Sequence, residues 1–188
     1  MSKVESLSTR DSIPKIRTLS SYRRRTVDIN VTPADGSEIS DLHSYISDVL
    51  GDGIASVDTV RDVHAKQGFS IWKVEDGNGK TSGVFALLYL NAEGLKALKE
   101  DRFDARAPDM DHLAEQPQSV VAIFAWCFVL RGKAKAALLK VATWLDLCGW
   151  NECPIFTNPV TPQGSRLAEA LGFRPVHDPN RSALHAVM

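Results

Sequence analysis

Hydrophobic positions along the chain change period several times, and each change marks an element. In "TVDINVTP", Val27, Ile29 and Val31 alternate with polar residues, the pattern of a half-buried strand. "DGSE" then offers Asp35 as a helix N-cap with Glu38 three residues on, and Ile39, Leu42, Ile46 and Val49 recur at helical spacing. After the glycine-rich "LGDGI", Ser56 caps a second helix carrying Val57, Val60 and Val63 as far as Gly68. "FSIWKVE" and "GVFALLYL" read as strands joined by the hairpin turn "DGNGK". No helix follows Gly77 and Gly79, so they read as a turn rather than a phosphate loop.

From Asn91 to Gln118 the chain turns acidic, with Glu93, Glu100, Asp101, Asp104, Asp109, Asp111 and Glu115 against Lys96, Lys99, Arg102 and Arg106. Leu95 and Leu98 mark a short helix there. The rest is long for a connection between strands, and reads either as a lid or partner surface or as a solvated excursion. "SVVAIFAWCFVL" is continuously apolar and β-branched or aromatic, which predicts a central strand buried on both faces. The helix "GKAKAALLKVATWLDLCG" puts Ala134, Leu138, Val141, Leu145 and Cys148 on one face and stops at Gly149. "CPIFTNPV" is a further strand, "TPQGSRLAEALG" a helix with Pro162 in its first turn, and "FRPV" and "SALHAVM" supply the last strands. The predicted order is βααββ, an insertion, then βαβαβ and a closing strand. This is an α/β (α+β) chain without internal repeats.

Composition narrows the function classes. A length of 188 residues, 44% of them apolar, fits one globular domain. A net charge of -1 gives no global pull toward nucleic acid or an anionic membrane, and neither is expected as a partner. Residues 1–25 differ: rich in Ser and Thr, they carry Lys3, Arg10, Lys15, Arg17, Arg23, Arg24 and Arg25 against Glu5 and Asp11. They read as a disordered basic arm, preceding a single domain over residues 26–188 with its insertion at about 91–118. Binding of nucleic acid or an acidic partner is the other use of such an arm, but it has almost no aromatic residues to stack on bases. Cys127, Cys148 and Cys153 are odd in number and at no metal-ligand spacing, so they read as reduced, buried thiols of a cytoplasmic protein. The longest apolar run, Val120 to Leu130, is too short to span a membrane, and no hydrophobic stretch follows the N-terminal basic residues as a secretory signal requires.

The strongest chemical signal is "VLRGKAKAALL", where Arg131, Lys133 and Lys135 sit at a strand-to-helix turn whose only glycine is Gly132. Free backbone N–H groups, the positive end of the helix dipole and three cations together favour a bound anion.

This turn, the element order and the late "LAEALGF" together resemble the GNAT superfamily of acyl-CoA-dependent N-acyltransferases, over roughly Thr26 to Val176. The resemblance implies a mixed, largely antiparallel sheet with helices on both faces. It also implies acetyl-CoA or another acyl-CoA as co-substrate, no metal, and transfer of the acyl group to an amine on a small molecule or protein. The family's pyrophosphate turn, Arg or Gln, x, x, Gly, x, Gly or Ala, falls on Arg131, Gly132, Lys133, Ala134, Lys135 and Ala136, with Val129 closing the strand before it. Ala134 replaces the family's most dependable glycine. Since alanine favours helix over glycine by about 1 kcal/mol, a stable turn that is tighter for a ligand is expected. In "GSRLAEALGF", Leu167, Leu171, Gly172 and Phe173 take the usual positions. Ala168 stands where many relatives have a tyrosine that protonates the departing thiolate, and Thr161 where they have an asparagine.

By the same resemblance, the oxyanion donor is a backbone N–H around Trp126 to Val129. Glu75 at a strand end and His112 in the insertion are the candidate catalytic bases, with Asp111 and Glu115 beside the latter. The acceptor would approach "LGDGIASVD" and the insertion, whose acidic balance favours a cation. The competing reading is a non-catalytic module of the same fold, an acyl-CoA sensor or a protein-partner scaffold, which Ala134 and Ala168 favour. His43 and His64 on separate helices make no zinc spacing, and Cys127 has no evident His partner, so it reads as core. Trp126, Trp144 and Trp150 are expected to pack the sheet against its helix. Sheet edges and the insertion admit a homodimer.

Overall fold

In the computed structural model, which describes residues 28–150, 152–176 and 185–187, seven strands form one sheet in the order β1-β2-β3-β4-β5-β7-β6. β1 (Ile29–Pro33), β2 (Ile71–Asp76), β3 (Thr81–Leu90) and β4 (Ala122–Leu130) pair antiparallel in succession. β5 (Ile155–Thr157) runs parallel to β4, and β7 (His185–Val187) pairs antiparallel with both β5 and β6 (Arg174–Pro175). The basic arm read over residues 1–25, the first two residues of "TVDINVTP" and most of "SALHAVM" lie outside the described residues.

Local signals set the helices. Asp35 and Glu38 form the full capping box, but the box opens a 3-10 turn, Gly36–Glu38, that leads into α1 (Ile39–Leu50). Ile39, Leu42 and Ile46 of α1 are buried, whereas Val49 is 39% exposed because it falls off that stripe. Ser56 caps α2 (Val57–Gln67), in which Val63 is buried while Val57 and Val60 are partly covered. Asn91 caps α3 (Ala92–Lys99). Between β4 and β5 stands α4 (Ala137–Leu147), and Thr161 caps α5 (Pro162–Ala170).

Two layers of apolar side chains cover the sheet. On one face Val141 and Leu145 of α4 join Trp72, Val74, Phe85, Leu87, Tyr89 and Ile123, with Trp150. Trp144 and Trp150 extend this layer, their rings 5.3 Å apart and edge to face. The opposite face carries two cores: Ile39, Leu42 and Ile46 over Ile71, Val84 and Ala86, and Val63, Leu98 and Leu113 over Leu88, Leu90 and Phe124. The acidic insertion is therefore no solvated excursion. Its Leu98 and Leu113 build the second core, and Leu113 bridges to Leu90.

A buried amide ties this insertion to the sheet. Gln67 Nε2 donates to the carbonyls of Tyr89 at 2.7 Å and Ala114 at 3.1 Å, while Gln67 Oε1 accepts from the Ser70 hydroxyl at 2.7 Å. Removing these groups without replacement leaves buried donors and acceptors unpaired, at roughly 1–3 kcal/mol for each group. Gln67→Leu is accordingly expected to lower unfolding stability by about 2 kcal/mol, read as a lower urea midpoint at unchanged slope.

Candidate functional site at the seam of the two cores

β4 begins with strict alternation: Ile123 and Ala125 face the α4 layer, Phe124 the opposite side. The parity breaks after Trp126, at Cys127. Ala86 pairs with Cys127 and Leu87 with Ala125, so Trp126 has no partner residue on β3. After this bulge Trp126, Cys127 and Val129 share the α1 face, and Phe128 and Leu130 turn to the α4 layer. β5 makes its last pair with β4 at Ala125–Thr157. β5 ends at that pair, while β4 continues from Trp126 to Leu130.

Trp126 and Cys127 line a cavity of about 470 Å³ at the seam between the two cores. Ile46, Leu50 and Val60 wall it from the α1–α2 side, and Leu98, Phe103 and Phe124 from the insertion and β4. Its polar lining includes His43, Asp101, Asp104, Arg106 and Asn158. Burial pushes the Cys127 thiol, also in the wall, up to about 12, so it is a protonated wall group and not a thiolate nucleophile. His43 lies on α1, and its Nε2–H donates to the Ala55 carbonyl at 2.9 Å. In a neutral ring this bond assigns the acceptor role to Nδ1.

Trp126 packs the sheet against α1, as expected, and also secures the cavity wall. It touches both cores on the α1 face, and its Nε1–H donates to the Ala105 carbonyl at 2.6 Å. The segment it holds leaves α3 through Asp101, the sole non-glycine residue with positive φ (61°) among the described residues. Arg102 N–H closes back on the Ala97 carbonyl at 2.9 Å, a Schellman-type ending.

At the far end of β4, Arg131 is extended and Gly132 takes φ 53°, a left-handed conformation that costs glycine little. The chain then enters a 3-10 turn, Gly132–Ala136, before α4, so the helix begins about one turn later than its sequence pattern predicts. Side chains of Ser56, Asn91 and Thr161 cap α2, α3 and α5, but no side chain caps this entry. Arg131, Lys133 and Lys135 are exposed around it, with the Arg131 guanidinium 5.4 Å over the Tyr45 ring. Ala134 does not narrow the mouth as expected. It is 1% exposed and sits in the core against Gly83, where an added Cβ would lie 3.3 Å from the Ala134 methyl.

The two sequence-predicted bases lie elsewhere. Glu75 is on β2, held by Lys73 at 3.0 Å and Asn30 at 3.4 Å, and does not line the cavity. His112 stands one layer behind the wall, its ring 6.2 Å from that of Phe103. Glu115 pairs with Lys66 at 2.9 Å. Cys148 is exposed and Cys153 is partly covered, so the three free thiols are not uniformly buried. No group of three or more metal-ligating side chains occurs among the described residues, and no helix there is long and apolar enough to cross a membrane.

No family model matches the chain, and no curated protein matches it in sequence. Solved structures do match in shape. Ard1 from Thermoplasma volcanium superposes with a TM-score of 0.53 at 10% identity, covering 85% of this chain and 95% of its own. An acetyltransferase from Streptococcus agalactiae 2603 gives 0.52 at 11% identity, covering 86% and 98%. A GNAT-family acetyltransferase from Staphylococcus aureus Mu50 gives 0.51 at 11% identity, covering 84% and 97%. With the element order, the mostly antiparallel sheet and the bulged fourth strand, these matches show that the chain has the GNAT fold.

Proposed function

We propose that this chain transfers an acyl group, in the first instance acetyl, from acyl-CoA to an amine. The observation that carries the reading is the bulge at Trp126, beside the end of β5 pairing, with Trp126 and Cys127 both lining the seam cavity. The uncapped turn Gly132–Ala136 at the end of the same strand supports it. There, N–H groups and the cations Arg131, Lys133 and Lys135 suit the pyrophosphate, with Val129, Ala134 and Ala136 shaping the turn.

In this reading the acceptor amine nitrogen attacks the thioester carbonyl carbon. A C–N bond forms, the carbonyl oxygen gains negative charge, and a peptide N–H of the Trp126–Cys127 bulge stabilises it. His43 Nδ1, the acceptor nitrogen of a ring fixed by Ala55, takes the amine proton. The C–S bond then breaks and the thiolate leaves. Ala168 is buried and carries no proton donor, so the thiolate is protonated by solvent. The reading gives no step to Glu75 or His112.

The test is release of CoA thiol from acetyl-CoA in the presence of primary amines. His43→Gln is expected to lower kcat at least 100-fold while acetyl-CoA affinity stays the same, consistent with the roughly 10²–10⁴-fold typical of a positioned base. Acetyl-CoA binding without thiol release would replace this reading with the sensor or scaffold module.

A further inference from the structure

We propose, resting on the transferase reading above, that Tyr45 is a positioning residue for the pyrophosphate, its ring seating the Arg131 guanidinium so that every N–H donor stays available to the anion. Arg131 Cζ lies over the Tyr45 ring, 5.4 Å from its centroid. The N–H groups of a guanidinium lie in its plane, and a carboxylate partner occupies some of them. An aromatic face holds the cation through the ring quadrupole and takes none. Among the described residues the Arg131 side chain makes no ion pair and no hydrogen bond. Glu38 and Glu75, which stand on the same face of the sheet as Arg131, are held by Lys73 instead, its Nζ 2.7 Å from Glu38 Oε1 and 3.0 Å from Glu75 Oε1.

Both sides of this contact are anchored. Tyr45 is half-buried on α1 and packs against the core of Ile39, Leu42, Ile46 and Val129. The Arg131 N–H donates to the Ser82 carbonyl at 3.2 Å, and the Arg131 carbonyl accepts from the Ala134 N–H at 2.9 Å, so the backbone that carries the guanidinium is fixed before any ligand arrives. An arginine side chain loses rotamer freedom when it closes on a phosphate, and a seat already in place removes part of that cost. Helical spacing puts His43 and Tyr45 on opposite flanks of the buried stripe of Leu42 and Ile46. His43 turns to the cavity and Tyr45 to the turn after β4, so one helix orders both ends of the site.

The test is calorimetric titration of acetyl-CoA into the full chain and its variants Tyr45→Leu, Tyr45→Gln, Tyr45→Phe, Arg131→Leu and the double variant Tyr45→Leu, Arg131→Leu, with urea unfolding of each. Tyr45→Leu and Tyr45→Gln are expected to weaken acetyl-CoA binding about tenfold, a loss of the size a cation–π contact supports. Tyr45→Phe keeps the ring and should bind as the unaltered chain does. In the Arg131→Leu background, Tyr45→Leu should change affinity by less than about twofold, because the ring then has no cation to seat. Equal losses in both backgrounds would mean that Tyr45 acts through packing, and Tyr45→Phe as weak as Tyr45→Leu would mean that it acts through its hydroxyl. Either result, or unchanged affinity in Tyr45→Leu, would overturn the proposal and leave the transferase reading standing. Absence of acetyl-CoA binding by the unaltered chain would overturn that reading and the proposal with it.

Discussion

Gly94→Ala is expected to destabilise the fold by about 2–3 kcal/mol, although in an ordinary helix this change stabilises by about 1 kcal/mol. Gly94 sits in the first turn of α3, where its N–H bonds Asn91 Oδ1 at 2.9 Å. A Cβ built on it would lie 2.2 Å from the His112 carbonyl oxygen and 3.0 Å from its carbonyl carbon. Those are backbone atoms, so no side-chain rotation relieves the clash. Asn91 fixes the same contact from the other side, its Nδ2 donating to the Asp111 carbonyl at 2.8 Å and its N–H to the His112 carbonyl at 3.2 Å. Either α3 or the turn Met110–His112 must move, and with it Phe103, which packs between His112 and Phe124 in the cavity wall. Urea unfolding measures the loss. A neutral or stabilising Gly94→Ala would mean that α3 does not rest on this turn.

Reversing charge at the β4–α4 turn should have the opposite signature. The double variant Arg131→Glu, Lys133→Glu is expected to weaken CoA binding at least 100-fold, because hydrogen bonds to charged groups contribute about 1.5–3 kcal/mol each and repulsion adds to their loss. Both side chains are exposed, and stability should change by only about 1 kcal/mol, chiefly the stacking of Arg131 over Tyr45. Calorimetry on the double variant and wild type, with matched thermal melts, separates the two effects. Equal CoA affinity in both proteins would remove the anion site from this turn.

Elements defined by local chemistry were legible in the sequence. The capping box at Asp35 and Glu38, the Ser56 cap and the turn between β2 and β3 all depend on residues within a few positions of one another. The bulge was not legible, because a continuously apolar strand carries no polar alternation from which a change of parity can be read. Its effect falls on Cys127, which the extra residue turns from the α4 layer to the α1 face beside Trp126. Ala134 looked like an obstruction because its burial depends on Gly83, some fifty residues away on β3. Nothing in the sequence marks the placement of His43, because the carbonyl that anchors it, that of Ala55, leaves no side-chain signature. Charge balance alone could not separate a solvated insertion from a packed one. Leu98, Phe103 and Leu113 were the residues that decided it.

Whether the bulged strand and the uncapped turn form one acyl-CoA site is read by calorimetric titration of acetyl-CoA into the full chain. Saturable micromolar binding at one site per chain is the expected result. A folded protein that gives no binding heat and no thermal shift with acetyl-CoA would contradict it.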